Sequence, residues 1–210
     1  MLSRISKSPN SLKYNFRCMS SRKGIIEIRT YKGFPQHSSE YLRHANASAG
    51  LRERYCGDRW KLFLRPETGY GSLSDFIHIY HYPGMQERFE SRKKMGEDKN
   101  WNDFLIASRP CLQEQSSEIF CPANIILNEG QNDFEYFSIP EEANSLDAVY
   151  EIRHYQLIPG YETVPQLIEI FNEGLPDKIN ACDSSTGRLI LLAHSDVGLL
   201  NQFIEIWRWI

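Results

Sequence analysis

Acidic residues are missing from the first 25 positions of this 210-residue chain, and basic residues are missing from 124–148. Long apolar runs are missing as well. No stretch approaches the roughly 18 consecutive apolar residues that a membrane-crossing helix requires, so no integral membrane segment is expected. The five cysteines (Cys18, Cys56, Cys111, Cys121, Cys182) include no CxxC pair, which excludes a zinc ribbon and a dithiol redox motif. Their odd number and wide spacing point to reduced thiols acting as small core hydrophobes. No HExxH, GxSxG, P-loop or GxGxxG motif occurs, which removes the sequence-readable metalloprotease, hydrolase and nucleotide-binding classes. The six histidines show no metal-ligand spacing, so neither a metal nor a cofactor is expected and no catalytic set is read.

What is present begins with charge. The acid-free head carries Arg4, Lys7, Lys13, Arg17, Arg22 and Lys23 among six serines. An Arg/Ser-rich, acid-free start is the composition of a mitochondrial targeting presequence, assigned to 1–24, with a disordered basic arm as the other reading. Beyond it, 18 basic residues face 27 acidic ones, a net of -9. An acidic body lacks the basic face that phosphate binding needs, so no nucleic-acid partner is expected.

The most informative positive feature is a repeat. Glu27-Ile28-Arg29-Thr30-Tyr31 returns as Glu151-Ile152-Arg153-His154-Tyr155 at an offset of 124, and Phe76-Ile77-His78-Ile79-Tyr80 returns as Phe203-Ile204-Glu205-Ile206-Trp207 at an offset of 127. Two matches in order at nearly constant spacing indicate a duplicated supersecondary unit. Alternation and breakers predict a strand over 25–31, a helix from Gln36 to about Tyr55, and strands over Trp60–Arg65 and Leu73–Tyr82. A charged surface helix from Met85 and a second one capped by Asp98 follow, then a strand from Leu112. That order, β-α-β-β-α-β, is the ferredoxin-like plan. The first unit is placed at 25–123, an acidic linker at 124–148 and an incomplete second unit (β-α-β-β) at 149–210. The ending Ile206-Trp207-Arg208-Trp209-Ile210 reads as a truncated strand, and the missing last strand should leave the second unit with an unpaired edge.

Strand parity gives the candidate site. Glu27, Arg29 and Tyr31 share one face, as do Phe76, His78 and Tyr80, and the second unit contributes Glu151, Arg153, Tyr155, Phe203, Glu205 and Trp207. With Ile26, Ile28, Ile77 and Ile79 placed under the helices, this polar set is expected to line a barrel interior. It reads either as a self-satisfied polar core that fixes register or as a ligand pocket with Arg29 anchoring an anion and His78 as acid or base. In the linker, Tyr136-Phe137-Ser138-Ile139 after Asp133 and Glu135 has the form of a strand-adding linear motif for autophagy modifiers, carried by Tyr136 and Ile139. The other reading has these aromatics packing back on the body.

These residues resemble the NIPSNAP family: the Glu27–Tyr31 strand, the Phe76–Tyr80 strand, the segment Glu87-Arg88, Arg92, Asp98, Trp101, Phe104, and partial copies at Tyr150–Arg153 and Asn201–Trp207. The resemblance covers 25–122 and, in part, 149–210. It implies an α+β fold in which ferredoxin-like dimeric α/β-barrel units stand in tandem, and a mitochondrial location. It also implies protein partners, with roles linked to mitochondrial quality control (mitophagy) and to vesicles. Completion of the second unit by another chain would give a homo-oligomer. The alternative is a small-molecule-binding barrel or a cofactor-free oxygenase of the kind related barrels support. The chain departs from the pattern where the third-strand histidine becomes Glu205 and where the second unit is incomplete.

Overall fold

The computed structural model describes residues 23–68, 72–125, 135–138, 148–182 and 187–209. The presequence at 1–24 and the linker at 124–148 therefore lie largely outside the described residues. Strand β1 (Ile25–Gly33) is followed by α1 (Ser38–Ala47), α2 (Ala49–Cys56), β2 (Trp60–Leu64) and β3 (Asp75–Tyr82). Next come α3 (Met85–Glu97), α4 (Lys99–Ser108) and β4 (Leu112–Pro122), then β5 (Val149–Gln156), α5 (Thr163–Ala181), β6 (Gly187–Val197) and β7 (Gln202–Trp209). The sequence predicts one helix over 36–55; the structure interrupts it at Ser48, whose hydroxyl donates to the Ala45 carbonyl, 3.0 Å. A hydroxyl that bonds back into its own turn competes with the helical ladder. Asp98 caps α4 as expected, accepting from the Asn100 N–H at 2.7 Å. Pro165 lies in the first turn of α5, where a missing N–H costs nothing. Cys56, Cys111 and Cys182 are free.

The seven described strands form one antiparallel sheet in the order β2-β3-β1-β4-β6-β7-β5. The first four give the 2-3-1-4 order of a ferredoxin-like unit, with both helical crossovers passing over an intervening strand. The order β6-β7-β5 then repeats β2-β3-β1. β4 pairs with β6 through Phe120–Ser195 and Cys121–His194 and so joins the two halves. β2 and β5 are the sheet edges; among the described residues nothing stands on β5 as β4 stands on β1.

The register is the same in both halves. Arg29 lies opposite His78 and Glu27 opposite Tyr80; Arg153 lies opposite Glu205 and Glu151 opposite Trp207. The isoleucine face of the sheet is buried. Ile26, Ile28, Leu62, Ile79, Phe120, Ile204 and Ile206 form one buried cluster that draws on both halves, and no helix supplies a residue to it. Because no described helix covers these side chains, the sheet curls so that its own strands, with Tyr136 and Phe137, bury them. The opposite face carries the helices, which pack Met95, Trp101 and Phe104 on Tyr80 and Tyr82 and Leu175 on Leu189, Phe203 and Trp207.

Candidate functional site

The alternation in the strands is as read, but its direction is inverted. Ile26, Ile28 and Ile79 line the concave face, while Tyr80 and Trp207 lie under helices. The polar set shares their face: Arg88 and Arg92 of α3 and Lys178 of α5 reach it. The reason is partnership. A charge on the concave face would meet a cluster of aliphatic and aromatic side chains, whereas the helical layer can send guanidinium and ammonium groups to it. Buried ions persist only where such partners arrive.

Glu27 shows this most clearly. It sits on β1, an interior strand of the sheet, and is fully buried. Arg88 donates to its Oε1 at 2.8 Å, Arg92 to its Oε2 at 2.7 Å and Ser117 of β4 to its Oε1 at 2.7 Å. Arg29 stands 3.9 Å away. Burial alone would raise this carboxyl; the charge of Arg92 and the hydrogen bonds from Arg88, Arg92 and Ser117 overcome it and hold the pKa at about 2. Arg92 also lies over the Tyr80 ring, 5.1 Å from its centroid.

His78 has the opposite character. It is fully buried, and among the described residues neither ring nitrogen has a hydrogen-bond partner. Phe63 stacks on it at 4.4 Å, Tyr31 meets it edge-on at 5.2 Å, and Trp60 and Tyr80 lie 6.1 and 6.2 Å away. Burial, and then the charges of Arg52, Arg29 and Arg92, push its pKa well below the ordinary imidazole value, so the ring is neutral.

In the second half the buried acid has moved to the third strand. Glu205 is fully buried and accepts from Lys178, from the Tyr155 hydroxyl at 2.6 Å and from Trp207 Nε1 at 2.5 Å; Arg153 is 3.8 Å away. Burial raises its carboxyl, and the bonds from Lys178, Tyr155 and Trp207 bring it below the ordinary value. Glu151, the counterpart of Glu27, is half-exposed and pairs with its neighbour Arg153 at 2.7 Å. No described helix covers it as α3 covers Glu27.

A family model described as NIPSNAP matches residues 26–126, the segment that contains Glu27, His78, Arg88 and Arg92. Residues 26–126 carry a NIPSNAP domain. It is 25% identical over 191 residues to Protein NipSnap homolog 3A of Homo sapiens, and equally to that of Pongo abelii. The match takes in 87% of this chain and 66% of the relative, so the chain spans just under two thirds of the length of the curated relatives. Among solved structures it is similar to a NIPSNAP family protein from Agrobacterium tumefaciens, with 24% identity over 47% of this chain and 91% of that one at a TM-score of 0.44. It is similar in fold to a monooxygenase, so named as putative, from Lactobacillus acidophilus, with 11% identity over 88% of this chain and 76% of that one at a TM-score of 0.52.

Within the NIPSNAP domain, the residues that complete the polar layer were not in the sequence-derived set. Arg88 and Arg92 read as part of a solvated charged helix. Their i, i+4 spacing, which puts both on one face of α3, was the available signal. Arg52 on α2 and Lys178 on α5 carry no such pattern. The linear motif of the linker meets a different fate. Tyr136 is buried, and its hydroxyl donates to the Ala123 carbonyl. The Phe137 N–H donates to Ile190 of β6 at 3.0 Å, so this stretch packs against the sheet and Tyr136 is not presented for strand addition. Ile139 lies outside the described residues. A cleft of about 220 Å³ opens between α2 and α3, lined by Arg54, Tyr55, Arg59, Glu87, Glu90, Ser91 and Lys94; none of the sequence-derived site residues borders it. Among the described residues no group of His, Cys, Asp and Glu is placed to hold a metal, and no helix is long and apolar enough to cross a membrane.

Proposed function

We propose that this chain is a protein-binding module of a mitochondrial NIPSNAP protein, acting as an adaptor in mitochondrial quality control and not through catalysis. Its units are 25–123 and 149–210 in tandem, joined by the acidic linker, with 1–24 as the import signal. The observation that carries the reading is an apolar ledge where the loop after β5 meets the β6–β7 turn. Ile158 is 79% exposed and Tyr161 86%, and Val197, Leu199 and Leu200 are each more than half exposed. These side chains are held outward by an ordered scaffold. Asn201, at φ 57°, donates its side-chain N–H groups to Ile158 O at 3.2 Å, Gly160 O at 2.9 Å and Thr163 Oγ1 at 2.8 Å. The Leu157 N–H returns a bond to Asn201 O at 2.8 Å. A contiguous exposed apolar surface on fixed backbone is what protein interfaces are made of.

Two experiments test this. A fluorescent reporter carrying residues 1–24 is expected in mitochondria; a cytosolic reporter overturns the location. A photo-crosslinking amino acid at Leu200 in the intact protein is expected to trap discrete partner species in isolated mitochondria, and Leu199→Asp with Tyr161→Asp is expected to abolish them. A ledge that traps nothing, or adducts indifferent to those changes, overturns the adaptor reading. Likeness in fold to a monooxygenase carries no chemistry by itself, so the oxygenase alternative has no residue set behind it here.

A further inference from the structure

The two halves of the sheet solve the same electrostatic problem differently, and the difference identifies what is missing from one of them. In the second half, Lys178 of α5 reaches the sheet, meets Glu205 and lies 4.8 Å over the Trp207 ring. In the first half, Arg52 of α2 occupies the corresponding helix position: its offset from Lys178 falls between those of the two repeated strands. The residue in register with Glu205 is His78. Tyr31 stands where Tyr155 stands, and Tyr80 where Trp207 stands. The strand register is kept, but the carboxylate is gone, and the cation over the Tyr80 ring is Arg92.

Arg52 is 2% exposed. Its guanidinium donates to Ser48 Oγ at 2.9 Å and rests on Trp101, Phe104 and Trp60, 4.9, 5.0 and 5.8 Å from their centroids. Among the described residues no carboxylate pairs with it. Glu27, the buried carboxylate of this layer, is already held by Arg88, Arg92 and Ser117. Polar atoms without partners gather around the same place: Arg52 Nε, Trp60 Nε1, both nitrogens of His78, and Arg29 Nε. A buried guanidinium without an anion is costly, and so is each orphaned donor. A carboxylate accepts from several donors at once and binds the planar guanidinium with two parallel bonds.

We propose that Arg52, His78, Trp60 and Arg29 form a binding site for the carboxylate of a small organic acid, the ligand supplying the group that Glu205 supplies within the chain in the second half. Tyr31, Tyr41, Phe76 and Tyr80 around it are buried, which restricts the acid to a short one. The site is independent of the exposed ledge and of the adaptor reading.

The test is an NMR titration of the full chain with histidine-labelled rings, adding sodium acetate or sodium formate against sodium chloride at matched ionic strength. The His78 signal is assigned by its loss in His78→Phe. The expected result is a saturable shift of that signal with acetate and formate, none with chloride, and apparent affinity at least about tenfold weaker in Arg52→Met, the scale of one lost charge-assisted pair. No saturable shift in the wild type, an equal shift with chloride, or undiminished affinity in a folded Arg52→Met variant overturns the site. Should Arg52→Met not fold, the wild-type titration decides, and Arg52→Lys, which keeps the charge but loses the fork, is expected to weaken binding.

Discussion

His78 is a polar ring in an aromatic box with no hydrogen-bond partner among the described residues. An orphaned buried imidazole costs on the order of 1–3 kcal/mol relative to an apolar group of the same shape. His78→Phe is therefore expected to leave the unliganded protein as stable as the wild type, or more stable by about 1 kcal/mol, measured by urea denaturation at neutral pH. A loss above about 2 kcal/mol would mean that the ring has partners this structure does not give it. The residues themselves were legible in the sequence: Glu27, Arg29, Tyr31 and His78 were picked out by strand parity. Their direction was not. A period of two says which residues share a face; it does not say which face the helices take. Hydropathy favoured isoleucine under the helices. The outcome was decided by Arg88, Arg92 and Lys178, whose reach depends on how α3 and α5 cross the sheet.

At the scale of elements, α3 does two jobs. Its exposed side carries Lys93 and Lys94, and its inner side delivers Arg88 and Arg92 to Glu27. Arg92→Met should destabilise the fold by about 3 kcal/mol, since removing one partner strands a buried charge. Lys93→Met, one residue along, should change stability by less than about 0.5 kcal/mol. Equal effects from the two would place Glu27 outside the reach of α3. The order and type of the elements could be read from alternation, breakers and the Asp98 cap. The break at Ser48 could not, because it arises from a side-chain bond to the Ala45 carbonyl that leaves the apolar spacing unchanged. The half-exposed Glu151 has an elemental cause too. Nothing among the described residues covers β5 as α3 covers β1, so the acid of the second half sits on β7, beneath Lys178.

The whole molecule should respond to acid in two stages. Burial holds His78, His81, His154 and His194 below the ordinary imidazole value of 6.5. Below that pH the unfolded chain takes up protons that the folded chain refuses, so stability is complete above about 6.5 and falls as pH drops beneath it. Glu27 has the carboxylate pattern: its pKa falls from 4.5 to about 2. Its contribution is whole above about 4.5 and is lost as pH falls toward about 2. A shift of this size corresponds to roughly 3 kcal/mol. Stability measured by urea melts should slope downward from about pH 6.5 and steepen below about pH 4.5, and His78→Phe should flatten the upper stage. A flat profile from pH 7 to 5 would show that these histidines are not buried neutral. The element order in the sequence pointed to the ferredoxin-like α+β plan, whereas the shared register of Arg29 with His78 and Arg153 with Glu205 is read from the structure alone. The element order could not foretell that β4 and β6 would knit the halves into one sheet, because their pairing rests on backbone groups and not on a side-chain pattern.

The claim that a helix-facing polar layer centred on Glu27 organises this protein is tested most directly by the titration of the Glu27 carboxyl carbon, followed by NMR in glutamate-labelled protein and assigned with Glu27→Gln. A midpoint near 2 is the predicted result; a midpoint near the ordinary 4.5 would show that Arg88, Arg92 and Ser117 do not hold it and would contradict the account.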